Sequence, residues 1–341
     1  MPNIDTVADW SRVFRDVAVW RPLVLAVLRR HQLADCYACL DIQPGRVAGT
    51  HAVFIVDQDL VIKLYGPFWP EDQNQELAAL RLLGRQPRAL GEVRVPRLLF
   101  SGVLDARANG SGGQPWPYAV LEFLPGVQLG DIWPSLTGGQ RNHLAGQLGS
   151  LLANLHGTPI DSHEGIQRAR DWLTFIETQT ATAQERHRSW HSLPGHLIDD
   201  LPGFLQSTRP LPRPDWRPAL LHCDVTAEHV LLRRHEDRRD KADEWLVSGL
   251  IDFGDARIGD PEYDFLAVFL SALAMDHLAF KALLKAYGHP LEDGSQLGHR
   301  LLAYMLLHVF PVLKDLPQDK RHRLWSATSL EMAASTIWAP A

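Results

Sequence analysis

Three cysteines, Cys36, Cys39 and Cys223, are too few in 341 residues to build a disulfide framework. Cys36 and Cys39 make a CxxC, but no second pair completes a zinc site, so they read as ordinary thiols. Excess positive charge is missing as well. Lys and Arg number 34 against 40 Asp and Glu, a formal net charge of -6, with the basic residues scattered, which leaves no electrostatic footprint for nucleic acid. Long apolar runs are absent too: Leu301 to Leu313 is interrupted by His308 and Pro311 and falls short of the roughly 20 residues a spanning helix needs. That stretch predicts a buried helix, and no membrane contact is expected. The opening MPNIDTVADW lacks the basic and apolar regions of a secretory signal, so a reducing cytoplasm is the expected compartment. No internal repeat, low-complexity tract or obligate protein partner is evident.

What is present begins with length enough for two compact lobes, at roughly 100 to 200 residues each. In the first thirty residues Trp10, Val13, Phe14, Val17, Trp20 and the run Pro22 to Leu28 follow an amphipathic helical pattern, predicting an added helix on the first lobe. From Arg46 to Leu64 the pattern becomes β, two strands around a turn at Asp57 to Asp59, preceded by a turn containing Gly45 and Gly49. Lys63 sits inside the second apolar strand, and Glu76 lies near the start of the helix predicted from Asp72 to Leu83. Either the two form an ion pair able to hold phosphate oxygens, or Lys63 snorkels to the surface past an unrelated glutamate. VPRLLFSGVL predicts further strand, Arg107 to Gln114 a flexible loop, and PYAVLEFLPG a strand breaking at Pro125-Gly126. That break is a natural hinge, with the backbone of Glu122, Phe123 and Leu124 free to bond a base edge, or else a plain edge strand with a turn. Helices are predicted over His143 to His156 and Arg168 to Leu205, then a proline-rich connection, Pro210 to Pro218.

Two strands then dominate the chemistry. LLHCDVTAEHVLL and LIDFGDARIGDPEYDFL each deliver a carboxylate to a turn, Asp224 and Asp252, with a charged hairpin tip, Arg233 to Glu244, between them. Paired carboxylates at neighbouring strand ends can divide the work of phosphoryl transfer, one orienting a hydroxyl and taking its proton, the other holding a divalent cation. The remainder, Phe265 to Trp338, reads as helical.

On VIKLYG, Glu76, PYAVLEFLPG, LGSLLANLH, HCDVTAEHV and IDFGDARIGDPEYDF, the chain resembles the aminoglycoside phosphotransferases, and its flanking segments are most similar to the hygromycin-type branch. The resemblance implies an α+β, bilobal protein-kinase-like fold: an N-terminal nucleotide-binding lobe over 1–125 with an antiparallel sheet plus helix, and a mainly helical C-terminal lobe over 126–341. It implies ATP and Mg2+ as cofactors and a small-molecule hydroxyl as acceptor. Carried over by position, Asp224 is the catalytic carboxylate and Asp252 the magnesium ligand. Lys63, held by Glu76, contacts the phosphates under a loop of Gly49, Thr50 and His51, while Val61, Leu231 and Ile251 enclose the base and Glu122, Phe123 and Leu124 form the hinge. His222 buttresses the catalytic loop, and Asp260 and Asp264 cap the loop and the following helix. Where the family has a metal-binding asparagine this sequence has His229, which either ligates metal, bonds a phosphate, or leaves a one-metal site. Cys223 replaces a glycine and is expected as a buried small residue. The competing reading is a nucleotide-binding regulatory module without transfer activity, motivated by His229. Asp199, Asp200, Glu262, Asp276, Glu292 and Asp293 are the carboxylates available to an acceptor cleft.

Overall fold

The computed structural model describes residues 4–338 except 47–48, 87–88, 105–114, 161–165, 167–168, 209–210, 213–215, 236–244 and 291–293. The loop expected at Arg107 to Gln114 and most of the charged hairpin tip fall outside the described residues.

Instead of one added helix, the N-terminal segment forms two. They are α1 (Val7–Val13), started by a Thr6/Asp9 capping box, and α2 (Val17–Arg30), capped by Asp16. A five-stranded antiparallel sheet follows, made of β1 (Ile42–Pro44), β2 (Ala52–Val56), β3 (Leu60–Leu64), β4 (Leu98–Leu104) and β5 (Trp116–Glu122), in the order β1-β2-β3-β5-β4. Asp57 and Gln58 turn the β2-β3 hairpin with positive φ. The period of two along β3 decides what each face does. Leu60, Ile62 and Leu64 pack with Trp10, Trp20 and Trp116 in a core under α1 and α2, whereas Val61 and Lys63 face the opposite way. On that side lies α3 (Asp72–Gly84), which carries Glu76.

The chain then passes β6 (Val127–Gln128), which pairs with β8 (Val230–Arg234) and, through it, β9 (Trp245–Leu250). A separate two-stranded ribbon joins β7 (Ala219–Leu221) to β10 (Arg257–Gly259). Helices α4 (Leu129–Ile132), α5 (Gly138–His156), α6 (Ala169–Trp190), α7 (Gly195–Ser207), α8 (Asp264–Ala267), α9 (His277–Tyr287), α10 (Gly294–Leu307), α11 (Gln318–Ser326) and α12 (Leu330–Trp338) complete the second lobe. α5 starts five residues before its apolar periodicity does, because Thr137 and Gln140 supply a capping box ahead of it. A Cβ at Gly149 would lie 2.2 Å from the Leu283 carbonyl, so the close crossing of α5 and α9 requires glycine there.

The larger apolar core does not respect the lobe boundary. It joins Leu77, Leu80 and Leu83 of α3 and Leu121 of β5 to Leu148, Leu152, Phe265 and Leu302 beyond the hinge. Arg94 also bridges to Gly249. Its N–H donates to the Ser248 carbonyl at 3.0 Å and its carbonyl accepts from Leu250 N–H at 2.9 Å, fixing the second sheet against the first lobe. Among the described residues no helix is long and apolar enough to cross a membrane.

Candidate active site

β7 and β10 pair through Leu221↔Arg257, and β8 and β9 through Val230↔Leu250. The loop from His222 to His229 joins β7 to β8, and the turn from Ile251 to Ala256 joins β9 to β10. Asp224 and Asp252 therefore stand on neighbouring loops between four short strands. Each loop contains a non-glycine residue in the left-handed region, Cys223 at φ 66° and Asp252 at φ 66°. Such a backbone is disfavoured for a residue with a Cβ and persists only where its surroundings hold it.

Asp264 does much of that holding. Its fully buried carboxylate accepts the N–H groups of Cys223 and His222 at 2.7 and 2.9 Å, and bonds the His156 ring at 3.0 Å. The expectation that Asp264 caps the following helix is therefore corrected. Tyr263 occupies the cap position of α8 without a side-chain bond, and the carboxylate turns to two buried donors that would otherwise lack partners. Asp260 does cap, accepting from Glu262 N–H at 3.1 Å while Tyr304 donates its hydroxyl at 2.6 Å. His222 ties the two loops together. Its Nδ1 accepts the Asp224 N–H at 3.2 Å and its Nε2–H donates to the Ile251 carbonyl at 3.0 Å. Burial, with His229 nearby, lowers its pKa and keeps the ring neutral, as that bonding requires. Cys223 is half-buried and not fully enclosed as expected, and burial pushes its thiol well above the ordinary cysteine range. It is a weak nucleophile.

Lys63 does not snorkel. It is 3% exposed, and its ammonium lies 2.8 Å from Glu76 and 2.7 Å from Asp252, linking α3 to the second carboxylate loop. Burial opposes the charge, but Asp252 and Glu76 together raise its pKa above the usual lysine value. Burial likewise opposes ionisation of Asp252, and Lys63, then His229, overcome it and hold the carboxyl below the normal range. Tyr65, two residues along from Lys63, donates its hydroxyl to Glu76 at 2.7 Å. The i, i+2 spacing was the available signal for this residue.

His229 stands between the carboxylates. Its Nδ1 is 2.8 Å from the Asp224 carbonyl oxygen, which can only accept, so this nitrogen carries the proton. The same nitrogen lies 3.3 Å from Asp224 Oδ2. Nε2 is buried, has no hydrogen-bond partner, and is 3.7 Å from Asp252 Oδ2. The ring thus presents a buried, unpartnered nitrogen beside a carboxylate.

One cleft brings together Gly49, Thr50, His51, Val61, Lys63, Glu76, Glu122, Phe123, Leu124, His229, Leu231, Ile251 and Asp252. Two details depart from expectation. The hinge backbone is not wholly free, since Glu122 N–H donates to the Arg97 carbonyl and Phe123 N–H to the Asp59 carbonyl. Sheet geometry takes both donors, leaving the Leu124 N–H without a bond among the described residues. The His51 ring is committed to Asp72 at 3.0 Å and accepts Gly66 N–H at 3.2 Å, which pins the loop to α3. α1 and the segment after it brace the same loop. The Trp10 indole donates to the Thr50 carbonyl at 2.8 Å and Arg15 to the Gly45 carbonyl at 3.0 Å, neither of which periodicity could reveal.

Asp224 opens onto a second cavity of about 560 Å³, lined also by Asp255, Arg257, Leu266, Met275, Phe310 and Asp315. Burial raises the Asp224 carboxyl above the ordinary aspartate range, against the opposing pull of His229. Among the described residues, none of the carboxylates considered from sequence for the acceptor cleft lines this space. Asp199 pairs with Arg188, and Asp200 accepts from Leu330 N–H. Glu262 is bonded by Arg300, and Asp276 caps α9. Glu292 and Asp293 lie outside the described residues. Asp255 and Arg257 were in view within the second motif, but nothing in their spacing marks them as cavity residues.

A cleft between a β-lobe and a helical lobe, with a buried lysine bridging a helix glutamate and a loop aspartate, defines a kinase-like fold. The model of the phosphotransferase enzyme family matches residues 15–300, and the chain belongs to that family. Among solved structures, the chain is similar to the GDP complex of wild-type aminoglycoside 2'-phosphotransferase-IIIa at 19% identity, covering 92% of this chain and 98% of that one with a TM-score of 0.63. It is also similar to macrolide 2'-phosphotransferase MphH from Brachybacterium faecium at 18% identity, over 94% and 99% of the two chains, TM-score 0.55. At such identities these likenesses speak to the fold. A curated relative, lysine-specific demethylase JMJ21 of Arabidopsis thaliana, is 23% identical over 278 residues, 65% of this chain. The chain spans 28% of that protein's length.

Proposed function

We propose that the protein transfers the γ-phosphoryl group of ATP, with Mg2+, to a hydroxyl of a small molecule. The observation that carries this reading is the placement of two carboxylates at the meeting of two cavities. Asp252 lines the nucleotide cleft, Asp224 lines the second cavity, and the His229 ring approaches both. In this reading the cleft seats the base between Val61, Leu231 and Ile251, with the Leu124 N–H offered to its edge. Lys63 neutralises phosphate oxygens, and Asp224 orients the acceptor hydroxyl and takes its proton as the O–P bond forms. The raised pKa of Asp224 makes it a better base than an exposed aspartate.

The residues present fit a magnesium ion. Asp252 Oδ2 would hold it as the hard oxygen ligand magnesium ordinarily takes, phosphates and water would complete the shell, and the unpartnered Nε2 of His229 beside it is a softer and poorer donor. When bound, the ion supplies charge stabilisation at the phosphates. The choice of His over Asn predicts a metal preference. Replacing His229 with Asn substitutes a hard amide oxygen for an imidazole nitrogen, and the ratio of Mn2+- to Mg2+-supported activity falls several-fold. An unchanged ratio would remove His229 from coordination.

The brace on the phosphate loop gives a second expectation. Trp10→Phe keeps an aromatic in the core under α1 but removes the donor to the Thr50 carbonyl, a bond of about 0.5–1.5 kcal/mol, so the nucleotide KM rises by about two- to tenfold at nearly constant kcat. Steady-state kinetics in ATP check this, and an unaltered KM would mean that the loop needs no brace.

The test of the whole reading is ADP release by purified protein across a panel of small-molecule alcohols, with Asp224→Ala alongside. Acceptor-dependent release lost in the variant supports transfer. Tight nucleotide binding with no release from any acceptor would instead favour the regulatory-module reading.

A further inference from the structure

The CxxC at Cys36 and Cys39 has a chemistry that the proposed transfer does not use. Spacing alone marks two ordinary thiols, and the structure adds contact and access. Both are free and exposed, and their sulfur atoms stand 3.2 Å apart across the bend of the chain at 36–39. That bend is held at both ends. Its entry is fixed where Leu33 N–H donates to the Leu28 carbonyl at 3.0 Å near the end of α2, and its exit where Asp41 N–H donates to Asp57 Oδ1 at 2.8 Å beside the β2-β3 hairpin. Between them Leu33, Tyr37 and Leu40 pack on the core under α1 and α2, and the Arg29 guanidinium lies over the Tyr37 ring at 5.3 Å. The core thus takes Tyr37 and leaves the cysteines on either side of it to solvent.

The two sulfurs are not equivalent. One proton can bridge them from either side, so the N–H groups around them decide which sulfur keeps it. The Cys39 thiol, followed by the Cys39 and Ala38 backbone N–H groups, donates to the Cys36 sulfur and holds its thiol below the ordinary cysteine range, while the same contact raises Cys39. Cys36 is therefore the better nucleophile, and Cys39 is a second thiol within reach of whatever bonds to it. A metal is a poorer fit. Among the described residues no three His, Cys, Asp or Glu side chains gather to hold one, and two thiolates alone leave a tetrahedral shell half filled.

We propose that Cys36 and Cys39 form a redox-active dithiol whose substrate is a small dialkyl disulfide. The Cys36 thiolate attacks one sulfur of the disulfide R–S–S–R, forming a mixed disulfide on Cys36 and releasing RS−. Cys39 then gives up its proton and attacks the Cys36 sulfur, closing the Cys36–Cys39 disulfide and expelling the second RS−. The protein loses two electrons and two protons, and the small disulfide gains both to leave as two RSH. The pair lies on the side of the sheet opposite Lys63 and the nucleotide cleft, so this chemistry does not rest on the phosphotransferase reading.

The experiment incubates the reduced full chain with mixtures of reduced and oxidised glutathione, quenches with acid, alkylates the remaining thiols and maps the cysteines by peptide mass. Wild type accumulates the Cys36–Cys39 disulfide, recognised as the loss of two hydrogens from the single peptide that carries both. Cys39→Ser removes the resolving thiol and stops at a glutathione adduct on Cys36, formed about tenfold faster than the adduct on Cys39 in Cys36→Ser. The same wild-type chain unfolded in urea, where nothing holds the sulfurs together, needs an about tenfold higher share of oxidised glutathione to reach the same oxidised fraction. Glutathione adducts on both cysteines without the internal disulfide overturn the proposal, as do equal adduct rates in the two serine variants. Folded and unfolded chains that oxidise alike, or a folded chain that stays reduced at every mixture, overturn it too.

Discussion

Asp224→Ala lowers turnover by about 100- to 10,000-fold while nucleotide affinity stays within about twofold of wild type, the scale expected when a positioned base is removed. The separation follows from where the side chain is. Asp224 lines the acceptor cavity and is absent from the lining of the nucleotide cleft. Its loop is held by other atoms. Asp264 accepts the His222 and Cys223 N–H groups, and His229 bonds the Asp224 carbonyl, a backbone group that the substitution retains. Removing the carboxylate therefore leaves a loop of the same shape without its proton acceptor. ADP release in the presence of a working acceptor measures the first quantity, and equilibrium titration with ADP the second. Activity within tenfold of wild type would deny Asp224 the role of base. A parallel collapse of nucleotide affinity would mean that the two cavities are not separable as drawn.

How much of this could be read from the chain varies with the kind of signal. Lys63 and the carboxylates Asp224 and Asp252 were legible because a charged residue inside or just after an apolar strand violates the local pattern and calls for a reason. The strands and most helices followed from periods of two and 3.6, and their assembly into one antiparallel sheet followed from the family resemblance. Asp264 was legible as a residue but not in its task, since its partners lie 42 and 41 residues earlier and only the tertiary fold brings them close. The same holds for Trp10, whose apolar spacing announced a core residue while its indole N–H, 40 residues from the Thr50 carbonyl, had no sequence signature. His51 was assigned to the phosphate loop by position, and the structure adds that Asp72 and Gly66 occupy its ring.

Lys63→Met carries the largest expected effect on stability. The ammonium is the common partner of two carboxylates with different access to water: Glu76 is 1% exposed, whereas the Asp252 side chain is 35% exposed. When the lysine is replaced by an apolar chain of similar length, Asp252 can turn to solvent or to a bound cation. Glu76 cannot; it keeps only the Tyr65 hydroxyl at 2.7 Å. A buried charge stripped of its partner costs about 3–5 kcal/mol, a large share of the 5–15 kcal/mol that usually separates folded from unfolded chains. Denaturant unfolding of the nucleotide-free protein measures it. Adding Glu76→Leu removes the stranded charge, so the double variant regains most of the lost stability, because an apolar pair in a buried site is often no worse than an ion pair. Activity does not return with it, since the cation that faces the phosphates is still missing. The cycle of wild type, two single variants and the double then yields a coupling energy for Lys63 and Glu76 separately from their part in catalysis. A single variant as stable as wild type would show that Glu76 already has compensation other than Lys63, and the buried triad would lose its place as the structural link between α3 and the second carboxylate loop.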